Sequence, residues 1–245
     1  MNKEVRLTMT EWMTKSTLLS MVIVLSSLTG WGQVHDVESW IGTEVQVPIN
    51  KRFDFALGQQ FRFNSMLSQF DQYLLQPKLS FGKKGFGATL AYRFSVRNEG
   101  SPYVSFRHRY QLAVGYRHRF GDFRLGTKVR YQQVLNPIRN SERLPNGSDK
   151  LTFRHKFDVK YEGEKEAQPF IAVEYFLPLD QGLITVSRVR YRAGVDVDLP
   201  KKMEMTFFYT SEHVYGEEQP TYIHTLGIMY SIAPSFKKKK KKKKD

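Results

Sequence analysis

From Val37 to Ile232 the chain alternates apolar and polar residues, and turn residues interrupt the alternation about every 10–20 positions. The pattern predicts eleven strands, near 37–48, 53–63, 71–81, 86–96, 103–120, 123–132, 150–161, 169–177, 183–199, 202–212 and 222–232. In the second, Phe53, Phe55, Leu57, Phe61 and Phe63 share one face, opposite Asp54, Gly58, Gln60 and Arg62. In the fourth, Phe86, Ala88, Leu90, Tyr92 and Phe94 oppose Gly87, Thr89, Arg93 and Ser95. In the sixth, Phe123, Leu125, Val129 and Tyr131 oppose Arg124, Lys128, Arg130 and Gln132. No stretch carries a convincing helical period.

The apolar face points either inward, as in a soluble periplasmic lipocalin-like binding barrel, or outward to lipid. Three features favour lipid. The opposite face is densely charged. Aromatic residues collect at strand ends: the fifth segment reads His108, Tyr110, Leu112, Val114, Tyr116, His118, and the last reads Tyr222, His224, Leu226, Ile228, Tyr230. Ten residues at about 3.3 Å, tilted by roughly 45°, rise about 23 Å, close to the apolar band of outer-membrane barrels. Finally, the short turns Pro48–Arg52, Gly82–Gly85, Gly121-Asp122, Glu162–Gln168 and Leu199–Lys201 alternate with longer loops. The longest loop, Gln133–Asp149, holds Pro137, Pro145 and Asn146-Gly147. The expected fold is all-β: an antiparallel up-and-down transmembrane β-barrel of 10–12 strands. Such barrels ordinarily have an even strand number. An odd count therefore predicts either a contribution from Gln33–Ser39 or unusual pairing by the first segment.

The first residues read as an address. Leu18–Leu28 is an apolar stretch of signal-peptide length, Lys15 precedes it, and Gly30-Trp31-Gly32 follows. Residues 1–32 are expected to be a signal peptide cleaved before Gln33, with Met13 as an alternative start. Residues 33–236 form the barrel, and 237–245 a disordered lysine tail. At the far end Gly227, Tyr230 and Ile232 resemble the terminal-strand signal of the barrel-assembly machinery.

Composition narrows the class. Mean hydropathy is −0.48 and 25% of the residues are charged, so the chain would average as soluble. No apolar run is long enough for a membrane helix, a test that barrels escape because only every second side chain meets lipid. Cysteine is absent, which removes disulfides, thiolate metal sites and cysteine nucleophiles. The net charge of +14 owes +7 to the tail Lys237–Asp245, and the remaining cations alternate along strands, so no nucleic-acid partner is expected.

Trp40 in the first strand, Phe61-Arg62-Phe63 ending the second and Tyr222-Ile223-His224-Thr225-Leu226-Gly227 in the last carry a resemblance. The region 37–232 resembles an uncharacterised domain-of-unknown-function family of small outer-membrane β-barrels of Bacteroidota-type bacteria. The resemblance implies an outer-membrane barrel and brings no catalytic or ligand residues.

If Tyr110, Leu112 and Val114 face lipid, parity sends Arg107, Arg109, Arg117 and Arg119 into the lumen. The sixth and seventh segments add Arg124, Lys128, Arg130, Arg154, Lys156, Asp158 and Lys160. The eighth and ninth add Glu174, Arg188, Arg190, Arg192, Asp196 and Asp198, and Glu44 and Glu204 complete the set. Two roles follow: a structural lattice of Arg–carboxylate pairs that fills the lumen, or a narrow porin-like pore preferring anions. A lipid-modifying enzyme is least favoured. His108, His118, His155 and His224 face outward without an outward Ser in register, since Thr185 and Ser187, outward by parity, stand unpaired. No catalytic residues, metal ligands or cofactor motifs are assigned. The expected partners are outer-membrane lipid and lipopolysaccharide, with Arg139, Arg143 and Lys150 near its phosphates. The barrel-assembly machinery at 222–232 and a small anionic solute complete the list.

Overall fold

A computed structural model describes residues 34–64, 69–100, 103–135, 138–139, 142–143, 149–163, 166–179, 185–215 and 221–234. The segments 1–32 and 237–245 lie outside the described residues. Apart from Val34, the described strands belong to the compact unit His35–Asp245.

Eleven long strands form one sheet. They are β1 (Val34–Pro48), β2 (Phe53–Asn64), β3 (Gln69–Lys83), β4 (Phe86–Asn98), β5 (Val104–Phe120) and β6 (Phe123–Val134), then β9 (Lys150–Tyr161), β10 (Ala167–Pro178), β11 (Arg188–Leu199), β12 (Met203–Val214) and β13 (Thr221–Ile232). The predicted loop Gln133–Asp149 contains two more short strands, β7 (Ile138–Arg139) and β8 (Glu142–Arg143). Strand β5 outruns β6, whose last partner is Arg109↔Val134. β7 fills part of that vacated edge through Ser105↔Arg139 and Phe106↔Ile138, which hides donors and acceptors that would otherwise recruit a foreign strand.

The long strands pair in chain order, and β1 sits beside β13, so the sheet closes on itself. Ten antiparallel junctions lead from β1 round to β13. An even number of reversals returns the chain to its starting direction, so β1 and β13 meet in parallel. The strand number, eleven, lies within the expected 10–12, and the one departure from the antiparallel expectation is this parallel seam. Both escapes noted from the sequence occur together: β1 reaches back to Val34, and it pairs unusually.

The pleat decides what faces where. Along β5, Leu112 is 52% exposed while its neighbours Gln111 and Ala113 are each 5% exposed. Register then stacks outward residues against outward residues, as in Leu90↔Leu112, Tyr92↔Tyr110 and Tyr131↔Phe153. Exposed Leu57, Leu79, Leu90, Val129, Ile171, Leu226 and Ile228 form an aliphatic belt around the outside. Aromatic pairs bound it. On the side of the short turns stand Phe53–Phe81, Phe86–Tyr116 and Phe123–Tyr161, with ring centroids 4.7–5.4 Å apart. On the side of the loops stand Phe61–Tyr73, Tyr92–Tyr110 and Tyr131–Phe153. Soluble monomers rarely expose contiguous apolar patches beyond a few hundred Å². A belt around a whole barrel, rimmed by aromatics, matches a lipid-facing surface. The outward histidines sit in the rims: His108 and His224 bond the hydroxyls of Tyr92 and Tyr209 at 2.6 and 2.7 Å.

Small residues set the turns and the inner packing. Lys84 and Gly85 both have positive φ, 48° and 86°, the conformation of a tight two-residue hairpin. On β13, Gly227 lies opposite Phe208, whose ring covers it inside the barrel and meets Trp40 edge-on at 6.2 Å. An added Cβ at Gly227 would collide with that ring, whereas at Gly87 it would meet only Phe81 O at 3.6 Å. Gly227→Ala should therefore destabilise the barrel by about 1–3 kcal/mol, with Gly87→Ala nearly neutral. Urea unfolding in lipid, followed by tryptophan fluorescence, measures both.

Candidate functional site

Inward positions build a cavity of about 580 Å³ that reaches from the loop end past the middle of the barrel. Its described lining carries twelve Arg or Lys side chains and two carboxylates, Glu44 and Glu174. Of the residues singled out by parity, Arg107, Arg109, Arg130, Arg154 and Glu174 line it, as do Arg188, Arg190 and Arg192. Arg117 and Arg119 do not reach it. They lie at the turn end and border a second cleft with Arg124 and Glu162. Lys128 stands opposite Lys156 in the β6–β9 pair. Asp158 and Asp196 lie beyond the cavity toward the turns, where they hold Lys156 at 3.2 Å and Lys160 at 2.7 Å. Thr206 donates to the other oxygen of Asp196 at 2.6 Å.

Glu174 is the hub. Arg154 donates to both its oxygens, Nε to Oε1 at 3.1 Å and Nη2 to Oε2 at 2.6 Å. Arg190 and Arg130 approach it at 3.6 and 3.9 Å. Arg190 also reaches Glu212 on the next strand, which accepts from Arg188 at 2.9 Å. Arg suits this position because its planar fork serves two acceptors at once. Glu174 faces Arg190 directly across β10–β11, and Arg190 faces Glu212 across β11–β12, so register alone lays out this row. Closer to the turns, Lys78 forms an ion pair with Glu44.

Aromatic rings hold further guanidiniums. Arg62 lies 3.8 Å over Trp40, Arg154 4.3 Å over Phe176 and Arg192 4.4 Å over Phe208. A guanidinium stacked on a ring keeps its N–H edge free for another partner. At the loop end Glu99 accepts from Ser105 and Arg107, each at 2.7 Å. Burial alone would raise its pKa. The Ser105 bond and the Arg107 charge outweigh that and hold the carboxyl below its ordinary value.

Three placements differ from the parity reading or extend it. Ser187 lines the cavity rather than the outer face, because β11 begins only at Arg188 and parity ends with the strand. Its hydroxyl donates to the carbonyl of Phe176 at 3.4 Å. Lys150, expected near lipopolysaccharide phosphates, opens β9 as its segment predicted and lines the cavity mouth. Arg62, Arg93, Lys78 and Glu212 belong to the lumen but were not singled out, although each shares the inward parity of its strand. Phe176 and Phe208 share that parity too, but an inward aromatic carries no polar signal. Among the described residues no group of three His, Asp or Glu is placed to hold a metal ion.

A closed ring of strands, apolar outside and charged within, is an outer-membrane-type β-barrel fold. The chain belongs to the family described as protein of unknown function (DUF2490), whose model matches residues 37–222. Among solved structures it is similar to the translocator domain of the autotransporter NalP from Neisseria meningitidis, at 13% identity and a TM-score of 0.41 over 72% of each chain. No curated protein matches the sequence.

The hub makes a sharp stability prediction. Glu174→Gln leaves Arg154, Arg130 and Arg190 facing one another with their common counter-charge gone, and should destabilise the barrel by about 3–5 kcal/mol. Asp158→Asn, which frees one partly exposed lysine, should lie within about 1 kcal/mol of the parent. Denaturant unfolding in detergent separates the two.

Proposed function

We propose that this chain is an outer-membrane β-barrel whose lumen passes small anions, a narrow porin-like pore. One observation carries the reading: twelve cations against two carboxylates line the cavity among the described residues. Rings and tracks of Arg or Lys set anion preference in pores, because they raise the local anion concentration and repel cations. The volume of about 580 Å³ lies in the range of small-molecule sites. On this reading the chain is exported by a cleaved signal peptide and inserted by the barrel-assembly machinery through β13. It then sits among outer-membrane lipid and lipopolysaccharide, short turns inside and loops outside. It needs no cofactor and performs no chemistry.

A second reading rests on a specific feature. The cavity and the turn-end cleft share no lining residue, and the pairs Lys160–Asp196 and Lys156–Asp158 lie between them. A barrel closed at that level would be a plugged, structural one. Planar bilayers decide between the two. The pore reading expects discrete channels whose reversal potential in a salt gradient has the anion sign. Arg109→Glu with Arg130→Glu should move that potential toward cations, and Lys160→Ala with Asp196→Ala should raise single-channel conductance. Silence of the parent protein in bilayers, or a cation-signed potential, contradicts the proposal.

A further inference from the structure

The lumen charges are unevenly shared. Strands β4, β5 and β6 contain no Asp or Glu at all. The inward carboxylates of the opposite wall stand on β10, β11 and β12, where Glu174, Asp196 and Glu212 take up Arg154, Arg190, Arg188 and Lys160. On the β4–β6 wall, Arg97, Arg107 and Arg124 reach acids of neighbouring segments, Asp71, Glu99 and Glu162, at 3.0, 2.7 and 3.2 Å, and Arg93 and Arg109 between them have no such partner among the described residues.

These cations are set against each other. Arg93 lies directly opposite Arg109 across β4–β5, and Arg130 directly opposite Arg154 across β6–β9. Like charges in directly paired positions destabilise a sheet. Among the described residues Arg93 donates only to the neutral amide of Gln76, at 2.7 and 3.2 Å. Arg130 reaches a carboxylate only at 3.9 Å. The Nε of Arg109 is buried without a hydrogen-bond partner, and no ion pair engages Arg109 among the described residues. All three side chains line the cavity of about 580 Å³.

We propose that Arg93, Arg109 and Arg130 form a binding site for a small solute bearing two or more oxyanion groups. The proposal rests on the anion-admitting lumen and assigns it a ligand class. A monovalent ion would neutralise one guanidinium and leave the others in repulsion. A solute with two anionic groups can bridge the paired arginines, each fork donating parallel N–H···O bonds to a carboxylate or phosphoryl group. The mutual repulsion present in the empty site is relieved only when such a solute enters, so binding should also stabilise the fold.

The experiment uses the full chain folded in detergent, with two probes, inorganic pyrophosphate and citrate, titrated at constant ionic strength in sodium chloride. Calorimetry should show saturable binding of at least one probe, and that probe should raise the thermal midpoint. Saturation by pyrophosphate alone identifies a phosphoryl ligand, and by citrate alone a polycarboxylate. Arg93→Gln with Arg109→Gln should weaken binding about ten-fold or more. The same variant without ligand should unfold at a higher temperature than the parent, since a repulsive pair is gone. Arg109→Gln alone provides the test if the double variant does not fold. Lys51→Gln with Arg52→Gln, an equal charge change on an exposed turn, should bind as the parent does. Heats no larger than those of chloride, or unchanged affinity in the arginine variants, overturn the proposal. A lowered midpoint of the ligand-free arginine variant does so too, because it would show those arginines to be structural. Saturable binding by a protein silent in bilayers supports the site while removing the pore. Conductance without saturable binding keeps the pore and removes the site.

Discussion

Every backbone N–H and C=O that enters a hydrocarbon layer must find its partner within the protein, since an unpaired group there costs several kcal/mol. For strands this leaves one solution, a sheet with no edge. The rest of the structure is arranged around that requirement. Eleven strands meet it only because β1 and β13 accept a parallel seam. The end of β5 that β6 does not cover is partly taken up by the small β7–β8 hairpin. Once the ring is closed, the two-residue pleat assigns each side chain to lipid or to lumen, and a slip of one residue would exchange the two faces.

That assignment explains the lumen. Charges excluded from the outer face are concentrated inside, where water and counter-charges are limited. Where carboxylates stand in register, as at Glu174 and Glu212, the arginines knit strands β9 to β12 together. Where aromatic rings stand in register, as at Trp40 and Phe208, guanidiniums are held flat against them. Strands β4 to β6 carry no acids of their own, and Arg93, Arg109 and Arg130 are left facing the cavity.

Much of this was legible in the sequence, because a β-barrel is written in a local code. The alternation around Leu112, Val129 and Leu226 marked the strands, and all eleven segments correspond to long strands in the fold. What the code omits is which distant strands meet. An antiparallel seam requires an even strand number, and only the parallel β1–β13 contact, which no local pattern encodes, lets eleven strands close. Parity also fails where strands end, which is why Ser187 was turned outward. The contact of Lys78 with Glu44 joins β1 and β3, which no hairpin register connects, whereas Arg62 lies directly opposite Trp40 across the β1–β2 hairpin. Glu212 shares the inward parity of its strand, so reading every inward position for charge finds it, as the polar face of the fourth segment already holds Arg93.

The central claim is that the apolar face meets lipid and the cationic face encloses an aqueous lumen. The most direct measurement places nitroxide spin labels one at a time at Tyr110, Gln111, Leu112, Ala113 and Val114 of β5 in a reconstituted bilayer. Relaxation by oxygen, which partitions into lipid, is compared with relaxation by an aqueous nickel chelate. The account predicts oxygen-dominated relaxation at 110, 112 and 114, and lower oxygen access at 111 and 113. The opposite phase, or uniform access to the nickel chelate along the strand, would contradict it.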